Sequence, residues 1–239
     1  MASMGESGAA DAAPRPDQLL GLAVERAYVT FARNRLGRSM VVHRRDVSPA
    51  DVAALAGPIR TVAAAAIDRW LPHAVTTWGT AEDLRALLPR IFELFTAGLL
   101  ETSPEVLFAK LCHADAAGWP IAEQAALETV ASASWRAALT QHPSPMGPAG
   151  RLLIALAELG QEISPYLDDW SLLMGTGAPE AEPARRHLAE LVQRAEGLRA
   201  SGRTLDDLFW SSHPAEAARL EVWLSSPLTR GHLPEPPGH

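Results

Sequence analysis

Thr80-Ala81-Glu82-Asp83-Leu84-Arg85-Ala86-Leu87-Leu88-Pro89-Arg90-Ile91-Phe92-Glu93-Leu94-Phe95 is the stretch that decides the fold class. A threonine followed three residues later by an aspartate can exchange side chain-to-backbone hydrogen bonds and start a helix. Gly79, just ahead of it, suits a turn. Leu84, Leu87, Leu88, Ile91 and Phe95 then recur at spacings of three and four, which places them on one face of a helix. Pro89 removes the hydrogen bond to the Arg85 carbonyl, so a kink is expected there.

The same grammar runs outward in both directions. Leu20, Ala23, Val24, Ala27, Tyr28 and Phe31 form an apolar stripe upstream. Ser48-Pro49-Ala50-Asp51 is a second helix start with proline at a tolerated first position, followed by a helix over 58–71. Downstream, Ser103-Pro104, Ile121 to Thr140, Leu152 to Ile163, Ser164-Pro165, the Leu188–Leu198 stripe, a cap at Thr204-Leu205-Asp206-Asp207, and Ala217, Leu220 and Leu224 each mark a helix. Residues 35–47 read as a loop with room for a short strand at Met40-Val41-Val42. Residues 175–183 read as a Gly/Pro loop. Strands and helices do not alternate, so a parallel sheet is not expected. The expectation is an all-α protein of about ten antiparallel helices, either HEAT-like stacked pairs or an irregular helical bundle. Its divisions are a disordered tail over 1–16, a helical first half over 17–141, a linker over 142–149, a second half over 150–233 packed on the first, and a tail over 234–239.

With 239 residues, 47% of them hydrophobic and 21% charged, the chain can bury a core. A net charge of −7 argues against whole-surface binding to nucleic acid or anionic lipid. Cys112 is the single cysteine, so neither an internal disulfide nor a thiolate zinc cluster is available. No signal peptide or membrane-spanning run is apparent, which gives a cytoplasmic expectation and no membrane partner. Lys110 is the only lysine. Arginine in its place, with abundant alanine, reads as the coding bias of a GC-rich bacterial genome.

Few residues point to chemistry. Arg33, Arg35, Arg38, Arg44 and Arg45 fall in an acid-free window of thirteen residues. They form a candidate anion or nucleic-acid site, against the alternative of a solvated loop paired with neighbouring acids. Trp78, Trp119 and Trp135 are candidates for a groove, against the commoner role of tryptophan as a core plug whose indole N–H finds a carbonyl. The eight histidines show no His-Glu-x-x-His or His-x-His spacing. His73 and His113 are candidate bases only if an acid lies beside them. Asp168-Asp169 and Asp206-Asp207 suit capping, and Gly175-Thr176-Gly177 suits a linker. No phosphate-binding glycine loop, dinucleotide fingerprint or nucleophile elbow occurs.

Leu71-Pro72-His73-Ala74-Val75-Thr76-Thr77-Trp78-Gly79-Thr80, continuing to Leu88-Pro89-Arg90, resembles an uncharacterised family of bacterial helical proteins. Ala117-Gly118-Trp119-Pro120 with Glu123-Gln124-Ala125-Ala126, and Trp135, fit the same pattern, and Arg219 to Arg230 fits it loosely. The resemblance implies a helical fold and no particular activity. It also implies that many relatives carry Cys-x-Cys-Cys just before the Val-Ser-Pro segment. Here His43, Arg45 and Asp46 stand at those positions. Arginine stays protonated and is not an ordinary ligand, so no metal and no cofactor are expected.

The leading sequence reading is a non-enzymatic protein–protein interaction or scaffold protein, with another protein as partner. Whether the chain is an enzyme is left open, with the balance against. One alternative is an enzyme or small-ligand binder with a site near Trp78, Arg90, Trp119 and Glu123. The other is an anion or nucleic-acid binder using the 33–45 arginines.

Overall fold

Two capping boxes anchor the first half of the molecule, and both are the ones the sequence predicts. In the computed structural model, which describes residues 14–37, 40–179, 181–204 and 209–233, Asp51 N–H donates to Ser48 Oγ (3.3 Å) while Ser48 N–H donates back to Asp51 Oδ2 (2.8 Å). Thr80 and Asp83 do the same at 3.3 and 2.9 Å. Asp83 is buried, and its second oxygen accepts from the Gly37 backbone N–H at 2.9 Å. One carboxylate therefore starts a helix and pins the arginine-rich loop to it.

The helices are α1 (Pro16–Phe31), α2 (Pro49–Leu55), α3 (Ala64–Trp70), α4 (Ala81–Thr96), α5 (Pro104–His113), α6 (Ile121–Leu139), α7 (Ala149–Glu158), α8 (Ser164–Gly175), α9 (Ala181–Ala200), α10 (Pro214–Ser225) and α11 (Pro227–Arg230). Short 3-10 turns join several of them. The fold is all-α, a helical bundle. Its nearest approach to a sheet, among the described residues, is a pair of isolated bridges, Val42 with Trp78 and Ala74 with Trp78. The expected short strand is thus a backbone clasp: His43 N–H donates to the Thr77 carbonyl and Gly79 N–H to that of Val41 (2.8 and 2.7 Å). No helix among the described residues is long and apolar enough to cross a membrane.

α1 packs on α6 and α4, α5 on α7, and α9 on α6, α7 and α8. A single buried cluster runs from Leu20 to Leu224 and includes Leu84, Leu87, Leu88, Ile91 and Phe95, the face read from the sequence. The tryptophans behave mainly as core plugs. Trp70, Trp119 and Trp170 donate their indole N–H to the carbonyls of Trp78, Ala114 and Ala184. Trp135 meets Trp170 edge-on, with ring centroids 5.4 Å apart. Trp78 and Trp135 keep a buried Nε1 without a partner.

Three element boundaries differ from expectation. The helix expected to reach Ile163 ends at Glu158, and Ile163 is the N-cap of α8, with Gly160 at φ +81° between them. The helix expected over 58–71 is a 3-10 turn, Ile59–Thr61, followed by α3, because Val62 and Ala63 are extended. Arg90 explains the break: its Nε donates to the Val62 carbonyl at 2.9 Å, so that carbonyl serves a side chain instead of a helix. α9 begins at Ala181, inside the expected 175–183 loop, since Pro183 sits in the first turn where its missing N–H costs nothing. Pro89 lies within a continuous α4. Residues 1–13, Arg38, Asp206-Asp207 and 234–239 lie outside the described residues.

The proline-rich segment after α6 is anchored. Met146 and Ser144 are buried. Gly98, at φ +69°, lets the chain pass so close that a Cβ there would lie 2.9 Å from the Pro145 carbonyl oxygen. His142 is therefore carried on a segment held against the end of α4.

Candidate functional site

The sequence-singled residues divide between two places and several private partners. Glu123, in the first turn of α6, is fully buried. Its Oε1 accepts from Arg33 (3.1 Å) and from Asn34 Nδ2 (3.2 Å), and its Oε2 from Arg85 (2.7 Å). Arg85 also lies over the Trp119 ring, 5.3 Å from its centroid. Arg33, Trp119 and Glu123 thus meet around Arg85, which sequence reasoning did not single out. Arg90 belongs elsewhere, bound to the Val62 carbonyl and to Glu93 (2.7 Å). Trp78 is buried beside Trp70. Among the described residues no hydrogen bond, ion pair or ring contact joins Trp78, Arg90 and Trp119.

The arginine loop is half neutralised. Arg33 is committed to Glu123. Arg44 pairs with Asp46 (2.5 Å) and donates to His73 Nδ1 (3.0 Å). Burial, with the nearby charges of Arg44 and Lys110, holds the His73 imidazole below its ordinary pKa. Arg35 and Arg45 are exposed and form no ion pair among the described residues. Lys110 is buried, its Nζ having Thr76 Oγ1 at 3.4 Å as its only hydrogen-bond partner among the described residues, and burial depresses its pKa.

The constellation with chemical potential was not read from the sequence. His187 and Glu190 stand one turn apart on α9, and His142 comes from the segment after α6. Their ligand atoms all lie within 4.8 Å of one another. His142 Nε2 is 2.9 Å from Glu190 Oε1, and His187 Nδ1 is 3.7 Å from Glu190 Oε2. Ligands at about 2.1 Å around a tetrahedral ion stand about 3.4 Å apart, so these two separations bracket a metal cradle.

His187 supplies the decisive detail. Its Nε2 donates to the Gln141 carbonyl at 2.9 Å, which fixes the proton on Nε2 in the neutral ring and leaves the lone pair on Nδ1. That Nδ1 is buried and has no hydrogen-bond partner among the described residues. An imidazole whose far N–H is held by a backbone carbonyl while its near nitrogen is open is the arrangement of a metal-ligating histidine. Burial is the largest cause holding its pKa below the ordinary value. The His142 charge adds to it, while the backbone groups of Gln141 and Ala138 and the Glu190 carboxylate oppose it. A neutral imidazole is what a metal requires.

Beside the triad, between α7 and α9, lies a cavity of about 310 Å³. His187 and Glu190 form one wall, and Pro148, Ile154, Leu191 and Trp210 supply apolar surface. Arg151 also reaches it, but its guanidinium is bound through two hydrogen bonds (2.5 and 3.0 Å) to the buried Glu105. Sequence inspection could have found the His187-x-x-Glu190 spacing on a predicted helix. Nothing in the sequence points to His142 as its partner. No family model, curated protein or solved structure matches the chain.

Proposed function

We propose that this protein binds a divalent metal ion of the zinc class through His142, His187 and Glu190, as an open centre that serves a small molecule in the adjoining cavity. The buried, unpartnered Nδ1 of His187 carries the reading. Leaving a buried acceptor unsatisfied costs about 1–3 kcal/mol, and a bound ion removes that cost. Two imidazoles and one carboxylate suit zinc or a neighbouring first-row ion. Three protein ligands leave a coordination position for water or ligand, unlike the closed four-ligand sites that only brace a fold. The sequence resemblance attaches no activity and plays no part in this reading.

Isothermal titration of chelator-treated protein with zinc tests it. One ion per chain is expected. Uptake should be abolished in His187→Ala, weakened in His142→Ala, and unchanged in the exposed-acid control Glu182→Gln. Uptake that is absent in the wild type, or indifferent to His187→Ala, refutes the proposal.

The interaction-protein reading keeps one observation: the exposed Leu19 and Leu22 border a cleft between α1 and α6. Single exposed apolar side chains are ordinary on globular surfaces, so this weighs less than the orphaned imidazole.

A further inference from the structure

Resting on the metal reading above, we infer that the cavity between α7 and α9 takes a small monocarboxylic acid with an apolar body, its carboxylate shared between the metal and Arg194. Charge is the first argument. A divalent ion balanced by Glu190 alone leaves one positive charge at the site. Arg194, which also lines the cavity, is exposed and has no hydrogen-bond or ion-pair partner among the described residues. Arg151 adds nothing, since Glu105 already neutralises it. Two uncommitted positive charges on one side of a cavity call for an anion, and a guanidinium fits a carboxylate with two parallel hydrogen bonds.

The walls define the rest of the ligand. Away from His187, Glu190 and Arg194, the lining is Ile154, Leu191, Trp210, Pro148 and Gly150, with Gln193 and the Glu105-paired Arg151 as its remaining polar groups, so a second charged group would meet no uncommitted opposite charge there. A volume of about 310 Å³ falls at the small end of ligand pockets, which excludes long chains. Gly150 makes part of this space. A Cβ there would come within 2.9 Å of Leu191 Cδ1, so the glycine lets α7 and α9 approach and leaves the leucine free to form a wall. An aryl- or branched alkyl-carboxylate meets all of these requirements, whereas a phosphate or a dicarboxylate does not.

The test uses the full chain, first titrated with zinc and then with 3-phenylpropanoate, followed by calorimetry and by tryptophan fluorescence through Trp210. The zinc-loaded protein should bind the acid at least about tenfold more tightly than the metal-free protein. Arg194→Ala, a surface change that leaves zinc uptake intact, should weaken binding by about tenfold. The uncharged analogue 3-phenylpropanamide should not bind. A protein that takes up zinc yet binds acid and amide equally, binds neither, or ignores Arg194→Ala overturns the carboxylate inference and leaves the metal reading standing. Failure to take up zinc overturns both.

Discussion

Glu123 and Glu190 are both carboxylates on long helices, each facing basic side chains from a neighbouring segment, yet the two clusters are of different kinds. Around Glu123 every atom is accounted for: two arginines and an asparagine donate to two oxygens of a side chain with no exposure. Around Glu190 the sum does not close, because the His187 Nδ1 lone pair is left over in a buried place. A buried polar cluster that is fully satisfied braces the fold. One with an unmatched buried acceptor is the arrangement on which the metal proposal rests. Burial and charge therefore do not mark the candidate site, and neither does an unmatched polar atom alone, since Trp78, Trp135 and His213 also have one; His187 differs in having two further ligand groups within 4.8 Å.

The largest effect should come from breaking the satisfied cluster. Glu123→Ala strands Arg85, although Arg33 is 63% exposed and can return to water. The expected loss lies near the lower end of the 3–5 kcal/mol typical of a broken buried pair, about 3 kcal/mol in urea unfolding. Zinc titration of the folded fraction should be unchanged. If Glu123→Ala abolished zinc binding at full stability, the division of roles drawn here would be reversed.

Next comes the scaffold that links the two halves of the open cluster. Gly98→Ala forces an L residue to a positive φ and drives its Cβ against the Pro145 carbonyl. We expect a loss of about 1–3 kcal/mol. Zinc affinity should weaken as well, because the displaced segment carries His142. Thermal melts with and without zinc separate these two consequences.

Acid should distinguish the clusters in a gentler way. The His187 pKa is lowered in the folded protein, so over the window below the unfolded value of about 6.5 the unfolded chain binds more protons than the native one. Stability of the metal-free protein should thus be complete above that value and fall as pH drops through it towards the folded pKa. His142 and Glu190 are the titratable groups facing the ring. His187→Gln places an amide where Nε2 donates to Gln141 and cannot titrate over this window. Its stability should be flatter between pH 7 and 5, and an unchanged slope would remove His187 as the source.

The smallest effect is expected at the arginine loop. Arg45 is exposed and has no ion-pair partner among the described residues, so Arg45→Ala should change stability by no more than about 0.5 kcal/mol. Zinc uptake should be untouched.

Much of the fold was legible because helix signals are local. The Ser48–Asp51 and Thr80–Asp83 boxes and the Leu84–Phe95 face depend on residues a turn apart, and they appear as read. The split at Val62 was not legible, since it depends on Arg90, twenty-eight positions away. The site was less legible still. The sequence marked tryptophans and arginines by abundance, and abundance reflects packing and solvation: Trp119 plugs the core and Arg33 neutralises Glu123. The expectation of no metal followed from His43, Arg45 and Asp46, positions remote from the triad. His142 and His187 are separated in the chain by the proline-rich segment, α7 and α8, and the packing of α9 against α6 and α7 brings them together.

Lys110 has a practical consequence. The chain holds a single ε-amine, carried by a side chain that is largely buried on α5. Acylating reagents, and any cellular modification of lysine, should therefore react with it faster when α5 separates from its neighbours than when it is packed. The rate at which Lys110 is labelled therefore reports the opening equilibrium of this region directly. Added zinc should slow that labelling wherever opening also dismantles the triad, so one native residue can serve as a clock for the opening of this region.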